Sequence, residues 1–315
     1  MGMLANRLQR VYRHLRKWAR RSDVTCFRLY EKDIPDQPLV VDWYDGRALV
    51  WAMHRKKDET PEQREAWLDE VVREVKEGLG VDDDHLYLKE RARQRGLSQY
   101  EKVAEEREEF VVREQGHQFW VNLSDYHDTG LFLDHRTTRK MVQDEAEGRR
   151  MLNLFCYTAS FSVYAAAGGA AGTTSVDISN TYLAWAARNF ELNGLRTETN
   201  RLERADILQW LPEALRARRR FDLIVCDPPT FSNSKKMREV FDVQQRHVEI
   251  INGCLRLLDP GGVLYFSTNY RGFHLEEEEL LPADRHEITA LTIPEDYRNK
   301  KIHRCWRMTR PLEER

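Results

Sequence analysis

The stretch Phe221-Asp-Leu-Ile-Val-Cys-Asp-Pro-Pro-Thr-Phe231 constrains the fold more than any other part of the chain. The apolar run Leu223 to Cys226 reads as a strand buried on both faces, the pattern of a parallel sheet. It has to stop at Asp227-Pro228-Pro229, because proline has no N–H to give the ladder. A carboxylate, a stiff turn and an aromatic ring, Phe231, therefore stand at the carboxyl end of a strand. Open α/β sheets bind their ligands at that place. An ordinary Pro-Pro turn would look the same in isolation, so the weight falls on what surrounds it.

With 315 residues the chain has room for one large or two modest domains. Its net charge of −2 excludes a polycation, but the charges are unevenly spread, and that matters more than the sum. The five cysteines, Cys26, Cys156, Cys226, Cys254 and Cys305, form no CxxC pair. This is the usage of unpaired thiols in a reducing cytosol, and a cytoplasmic location is expected. No run reaches the roughly 18 apolar residues of a membrane span, and arginines interrupt any signal-peptide core. No membrane partner is expected.

Residues 3–22 read as a basic amphipathic helix. Leu4, Leu8, Val11, Tyr12, Leu15, Trp18 and Ala19 fall at helical spacing, and seven arginines and lysines lie between them with no acid before Asp23. Such a helix either tracks the phosphates of a nucleic acid or docks on the body with a solvated basic face, and the two readings are compatible. A helix on a membrane surface is a third reading. Residues 24–54 alternate as strands around Asp45-Gly46, a hairpin signal. Pro61 opens a helix to about Glu77, with Thr60 as N-cap and Gly78 or Gly80 as its stop. A short strand at Leu86 to Leu88 and a hairpin about Gln115-Gly116 complete a small α/β domain. Between them Arg91, Arg93 and Arg95 alternate along an extended segment beside Tyr100, either a platform for single-stranded RNA or a solvated loop.

A nucleotide-binding core starts at Met151. Its first strand runs into Cys156-Tyr-Thr-Ala-Ser160, a small polar turn without the glycines of a pyrophosphate-binding loop, which favours a cofactor lacking phosphates. A second strand ends at Asp177, with Ile178 and Ser179 next, where an acidic side chain meets ribose hydroxyls. A third ends near Asp206-Ile207, placed for an adenine amino group, and a fourth at Asp227. Any one of these aspartates alone reads best as a helix N-cap. Three in this order are hard to explain as caps only. A helix over 248–258 stops at Asp259-Pro-Gly-Gly262. A strand over 263–267 leads into Thr268-Asn-Tyr-Arg271, and strands over 287–291 and 303–309 close the sheet.

In this order the motifs resemble class I S-adenosylmethionine-dependent methyltransferases. More closely, Thr129-Gly-Leu-Phe-Leu-Asp-His-Arg136, Leu152-Asn-Leu-Phe-Cys-Tyr-Thr158, Asp227-Pro-Pro-Thr-Phe-Ser-Asn-Ser-Lys235 and Phe241-Asp-Val-Gln244 are similar to the bacterial 23S rRNA guanine-N7 methyltransferases. The resemblance runs from about Leu4 to Thr309. It implies a Rossmann-like, doubly wound, mostly parallel seven-stranded α/β sheet over 126–315. That domain would follow a small α/β domain over 23–125 and the basic helix over 1–22. It implies S-adenosylmethionine as cofactor, with Asp177 on the ribose and Asp206 with Ile207 on the adenine. Phe155, Tyr157 and Thr158 would line the methionine side, Asn153, Ile178 and Ser179 would also bind the cofactor, and Asp134 and Arg136 would close over it. Asp227, Pro228, Pro229 and Phe231 would face the target base. The partner implied is 23S rRNA or a ribosomal precursor. In many bacteria the family's guanine-N7 enzyme is half of a fusion, so a fused or separate guanine-N2 half is a further partner.

Chemistry separates the rival reactions. Cytosine-5 methylation needs a cysteine nucleophile. The two places where relatives carry it hold Ser267-Thr-Asn269 and Pro229-Thr230 here, and Cys226 lies inside the strand. Exocyclic-amine methylation remains open, since Asp-Pro-Pro with an aromatic suits an amino nitrogen. Guanine N7 has an in-plane lone pair and no proton, so positioning is enough and no general base is required. N7 lies in the deep, narrow major groove of A-form RNA, so the base must be unpaired or flipped out. Phe231 is then expected to stack on it, with Ser232, Asn233 and Asn269 at its edges and Lys235, Lys236 and Arg271 on phosphates. His303-x-Cys305 is a lone pair of metal-ligand types, and no catalytic metal is expected. A non-catalytic RNA-binding or assembly protein would bind RNA without cofactor, and the three aspartates argue against it.

Overall fold

The computed structural model describes residues 2–54, 59–90, 109–125, 128–196, 198–232 and 241–312. They divide into two compact units, 1–129 with 295–299 and 130–294 with 300–315.

The first unit takes in the amino-terminal helix, α1 (Met3–Arg21). Leu4, Leu8, Leu15 and Ala19 are at most 5% exposed. Burial of each leucine contributes about 2 kcal/mol, so α1 is part of this unit's core rather than a separate arm. It lies on α2 (Pro61–Leu79). A Cβ on Gly78 would stand 2.7 Å from the Ala5 carbonyl oxygen, so the two helices meet backbone to backbone there. Gly78 is thus a contact inside α2, and the stop is Gly80, at φ 70°. At the other end Thr60 and Gln63 form a reciprocal capping box behind Pro61. The buried Glu74 accepts from the Ala5 N–H at 3.0 Å, satisfying one of the orphan donors of α1.

These helices accompany a four-stranded sheet in the order β1 (Cys26–Glu31), β2 (Leu39–Tyr44), β3 (Arg47–Ala52), β4 (Leu86–Glu90). Asp45 and Gly46, at φ 41° and 95°, make the tight β2–β3 turn. β5 (Glu109–Glu114) and β6 (His117–Asn122) form a separate hairpin. Asp296 accepts from the Arg28 N–H at 2.8 Å, which ties the 295–299 segment to β1. Arg91, Arg93, Arg95 and Tyr100 lie outside the described residues.

The second unit opens with α3 (Arg136–Asp144), and then strands alternate with helices. They are β7 (Arg150–Leu154), α4 (Ser160–Ala167), β8 (Gly172–Asp177), α5 (Asn180–Leu192), β9 (Asn200–Arg204), α6 (Ile207–Arg216) and β10 (Phe221–Cys226). The short pair β11 (Phe231–Ser232) and β12 (Phe241–Asp242) precedes α7 (Val243–Leu257) and β13 (Leu258–Thr268). β14 (Asp284–Glu287), α8 (Thr289–Thr292) and β15 (Arg304–Thr309) finish it. The sheet order is β14-β15-β13-β10-β7-β8-β9. The five strands from β13 to β9 are parallel, and β15 and β14 add antiparallel at one edge. This is a Rossmann-like α/β unit.

Three expected elements differ. α7 starts at Val243, not 248, because Asp242 caps it by accepting from the Gln244 and Gln245 N–H groups. β13 runs through Asp259-Pro-Gly-Gly262 as a bulge instead of starting after it: Leu258 pairs with Phe221 and Val263 with Leu223. The strand expected over 287–291 lies at Asp284–Glu287, and the short helix α8 takes up Thr289–Thr292.

Candidate active site

Because five strands run parallel, their carboxyl ends share one edge of the sheet. The turn after β7 is the tightest feature of that edge. Phe155, Tyr157 and Ala159 take φ of 55°, 51° and 60°, the left-handed region that glycine occupies freely and other residues at a cost of about 1–2 kcal/mol each. The turn therefore has the backbone of a glycine loop without the glycines. Neighbouring groups hold it there. The Cys156 N–H reaches the Val176 carbonyl at 3.0 Å, and Asn189 donates to the Thr158 carbonyl at 3.0 Å.

Asp177, the last residue of β8, accepts from the Tyr157 N–H at 3.0 Å and the Ser179 N–H at 2.8 Å. Two backbone donors thus fix its carboxylate beside the turn. Ser179 caps α5 through Tyr182 N–H, with Ile178 between. Asp206 caps α6 by accepting from Leu208 N–H at 3.1 Å, with Ile207 buried beneath it. The cap role weighed for these aspartates is thus one that Asp206 performs.

The segment from Gly130 is laced to the same turn. Gly130 N–H donates to the Tyr157 hydroxyl at 2.8 Å, and the Thr158 hydroxyl donates to the Gly130 carbonyl at 2.7 Å. Phe132 and Tyr157 rings lie 5.0 Å apart, and Tyr157 meets Tyr182 edge-on at 4.5 Å. Arg136 is fully buried at the start of α3, so it reaches no open face. The Phe155 ring turns to Phe241, 5.3 Å away. Asn153 is buried and donates to Ser162 at 2.9 Å, which assigns it to the packing of β7 on α4.

Past β10, Asp227 is one quarter exposed and held from two sides. Ser267, on β13, donates to one carboxylate oxygen at 2.6 Å. The His135 Nε2 lies 3.3 Å from the other. His135 is fully buried, stacks on His303 with ring centres 4.4 Å apart and 9° between planes, and leaves Nδ1 without a partner. Burial pushes its pKa below the ordinary histidine value, and the Asp227 and Asp134 carboxylates only partly oppose this. His303 in turn binds Asp134 through Nδ1 at 2.9 Å and Thr292 through Nε2 at 2.9 Å.

Asp134, His135 and His303 therefore form a compact group with atoms within 4.8 Å. Both nitrogens of His303 are engaged, and nearly parallel rings aim their lone pairs side by side rather than at one point. The group reads as a hydrogen-bonded buttress behind Asp227, not as a set of converging ligands.

Pro228 is buried and Pro229 partly so, while Phe231 is 48% exposed. Thr230 donates to Asn269 at 2.5 Å, joining the loops after β10 and β13. Arg271 is exposed. Ser232, expected at a base edge, is buried in the pairing of β11 with β12. Asn233, Lys235 and Lys236 lie outside the described residues. Of six exposed large apolar side chains among the described residues, three are aromatic: Phe132, Phe231 and Tyr270. Phe132 and Tyr270 stand on loops, and Phe231 opens β11 just past the tip of β10. The sequence assigned no such role to His135, Ser267, Tyr270 or His303, although the first three lie inside quoted motifs and His303 was weighed only as a metal ligand.

All five cysteines are buried and unpaired, and burial pushes the Cys156, Cys226 and Cys305 thiols upward. None offers a thiolate at the edge. The acceptor set at this edge is acidic: Asp177, Asp206 and Asp227, with Asp134 held by His303. It fits a cofactor that carries hydroxyls, amines and a sulfonium and no phosphates.

A family model described as S-adenosylmethionine-dependent methyltransferase matches residues 27–300. The chain is 50% identical over 308 residues to the ribosomal RNA large subunit methyltransferase K of Neisseria meningitidis, covering 96% of this chain and 85% of that protein. It is 48% identical over 307 residues to the ribosomal RNA large subunit methyltransferase K/L of Hahella chejuensis, covering 96% of this chain and 42% of that protein. The chain thus spans less than half the length of the K/L relative. A crystal structure of a methyltransferase complexed with S-adenosylhomocysteine superposes with a TM-score of 0.78 at 25% identity, covering 97% of this chain and 80% of that one. No helix among the described residues is long and apolar enough to cross a membrane. On its sequence and its fold, the chain belongs to the S-adenosylmethionine-dependent methyltransferases.

Proposed function

We propose that this chain transfers the methyl group of S-adenosylmethionine to N7 of a guanine in 23S rRNA. The relatives named above support large-subunit rRNA as the substrate. The observation that carries the chemistry is the placement of Asp227. Its carboxylate is braced by Ser267 and faces an edge with three exposed aromatic rings and no accessible thiol.

Asp177 holds the ribose, Asp206 and Ile207 the adenine, and Tyr157 and Thr158 the amino-acid side, with Asp134 above. The cofactor supplies an electrophilic methyl carbon on a sulfonium. Attack by the N7 lone pair forms the N–C bond as the S–C bond breaks, and the broken pair stays on sulfur. No proton leaves, and the positive charge moves from sulfur to the guanine ring. An anionic Asp227 stabilises that charge at both stages, which is electrostatic catalysis rather than base catalysis. Phe231 and Tyr270 stack on the extruded base, and Asn269 and Arg271 meet its edge and the backbone.

Methylation of an exocyclic guanine amine is the second reading. It is favoured by the same Asp-Pro-Pro tip, where the carboxylate would accept an N–H. Labelled methyl transfer to unmodified rRNA, followed by digestion to nucleosides, separates the two. We expect 7-methylguanosine from the wild type. For Asp227→Asn we expect a kcat lower by on the order of 10²–10³-fold with cofactor binding kept. N2-methylguanosine as the sole product would transfer the assignment to the amine.

A further inference from the structure

The outward face of α1 has no role in the site at the strand ends. Arg10, Arg13, Arg16, Lys17, Arg20 and Arg21 are all exposed. Among the described residues none of the six has an ion-pair partner, whereas Arg7 is paired with Asp33 at 2.7 Å. They span about 16 Å of helix at 1.5 Å per residue, with no acidic residue anywhere in α1. The acids nearby are engaged elsewhere: Asp23 by Arg113 at 2.9 Å and Asp33 by Arg7 and Arg298. Six unpaired cations on one helix, in a chain of net charge −2, are a surface prepared for a polyanion.

The apolar face of α1 decides against a bilayer. A helix that binds membranes inserts that face, and here it is already buried in the unit's own core. A second observation favours a nucleic acid strand. Beside the carboxyl-terminal half of α1 lies a hollow of about 220 Å³, lined by the rings of Tyr12, Phe27 and Trp43, by Arg16, Arg20 and Arg113, and by Asp23 and Asp45. It is smaller than the roughly 300 Å³ at which small-molecule sites begin. Phe27 and Trp43 are buried against Tyr12 and Arg113 is paired with Asp23, which leaves the half-buried Tyr12 ring beside the unpaired Arg16 and Arg20, a place for one stacked base next to its phosphates.

We propose that the outward face of α1 is a phosphate-binding surface for an RNA strand, and that the hollow at Tyr12 receives one unpaired base of that strand. This rests on the reading of RNA as the substrate. It assigns the first unit the task of holding RNA.

The test is binding of the full chain to an unmodified large-subunit rRNA fragment between about 50 and 200 mM salt, where log affinity falls linearly with log salt by ~0.7 per single-strand phosphate contact. Arg13→Gln, Arg16→Gln and Arg20→Gln together are expected to reduce that slope by about 2, with cofactor binding unchanged. Tyr12→Leu is expected to weaken binding roughly tenfold at every salt with the slope unchanged. The same charge loss at Arg216, Arg218 and Arg256, exposed in the second unit, is expected to leave the slope alone. A wild-type slope in the α1 variant, an equal loss in the control, or loss of binding to phosphatidylserine vesicles with RNA binding intact would overturn the surface alone. A wild-type chain that binds cofactor but no RNA would overturn the substrate reading and the surface with it.

Discussion

Burial keeps the His135 imidazole neutral between Asp227, Asp134, His303 and Arg139, with its pKa below the ordinary value. The unfolded chain takes up that proton near pH 6.5, the folded chain only at lower pH. Stability from this group is therefore complete above about pH 6.5 and is lost as pH falls through the folded value. A protonated His135 also neutralises Asp227, the charge on which the proposed transfer depends. We expect turnover to fall on the acid side of pH 6.5. His135→Gln should lower kcat ten- to a hundredfold at pH 8, on the order expected for a misplaced reacting group, and should flatten the acid limb. Lost turnover with an unchanged acid limb would reduce His135 to packing. Asp134, Asp177 and Asp227 were legible in the sequence because each stands in a motif or at a strand tip. The role of His303 was not: the sequence offered it only as a metal-ligand type, and its bond to Asp134 spans 169 positions that no local pattern connects.

The turn after β7 was legible as polar and phosphate-free, but its backbone was not, since no glycine announces the left-handed residues. Ala159 is the simplest probe, being buried, at φ 60° and just before α4. Ala159→Gly should raise the unfolding free energy by about 0.5–1 kcal/mol, the left-handed penalty less glycine's entropy. A loss in denaturant titration would mean that the Ala159 methyl contributes more by packing than the strain costs. Gly78→Ala acts in the opposite direction, because its Cβ would meet the backbone of α1. We expect about 1–3 kcal/mol of destabilisation, the usual effect of overpacking. α2 was readable from its Thr60 cap to its glycine stop, whereas the start of α7 was not, although Asp242 caps it with its side chain. β13 was misread because Pro and Gly at 259–262 signal a stop, whereas its pairing with β10 on both sides of them, and the bonds of Gly261 and Gly262 with Arg310, carry the strand through a bulge. Pairing of that kind outweighs local turn chemistry, and only the assembled sheet contains it.

At the scale of the molecule, the net charge near zero concealed two opposite surfaces, a basic helix in the first unit and an acidic strand edge in the second. The order of motifs along the chain carried the fold class, because each βα step places the next carboxylate at the same edge of a parallel sheet. The chemistry of transfer is the least legible level, since Asp-Pro-Pro serves a ring nitrogen and an amine alike. Transfer to a nitrogen that loses no proton leaves a product with its own chemical signature. Unmodified 23S rRNA is methylated by the full chain with S-adenosylmethionine and then treated with borohydride and aniline, which cleaves at 7-methylguanosine. We expect one new cut, formed on the order of 10²–10³-fold more slowly with Asp227→Asn. Methyl label in the RNA with no cut would contradict transfer to N7 and assign the reaction to an exocyclic amine.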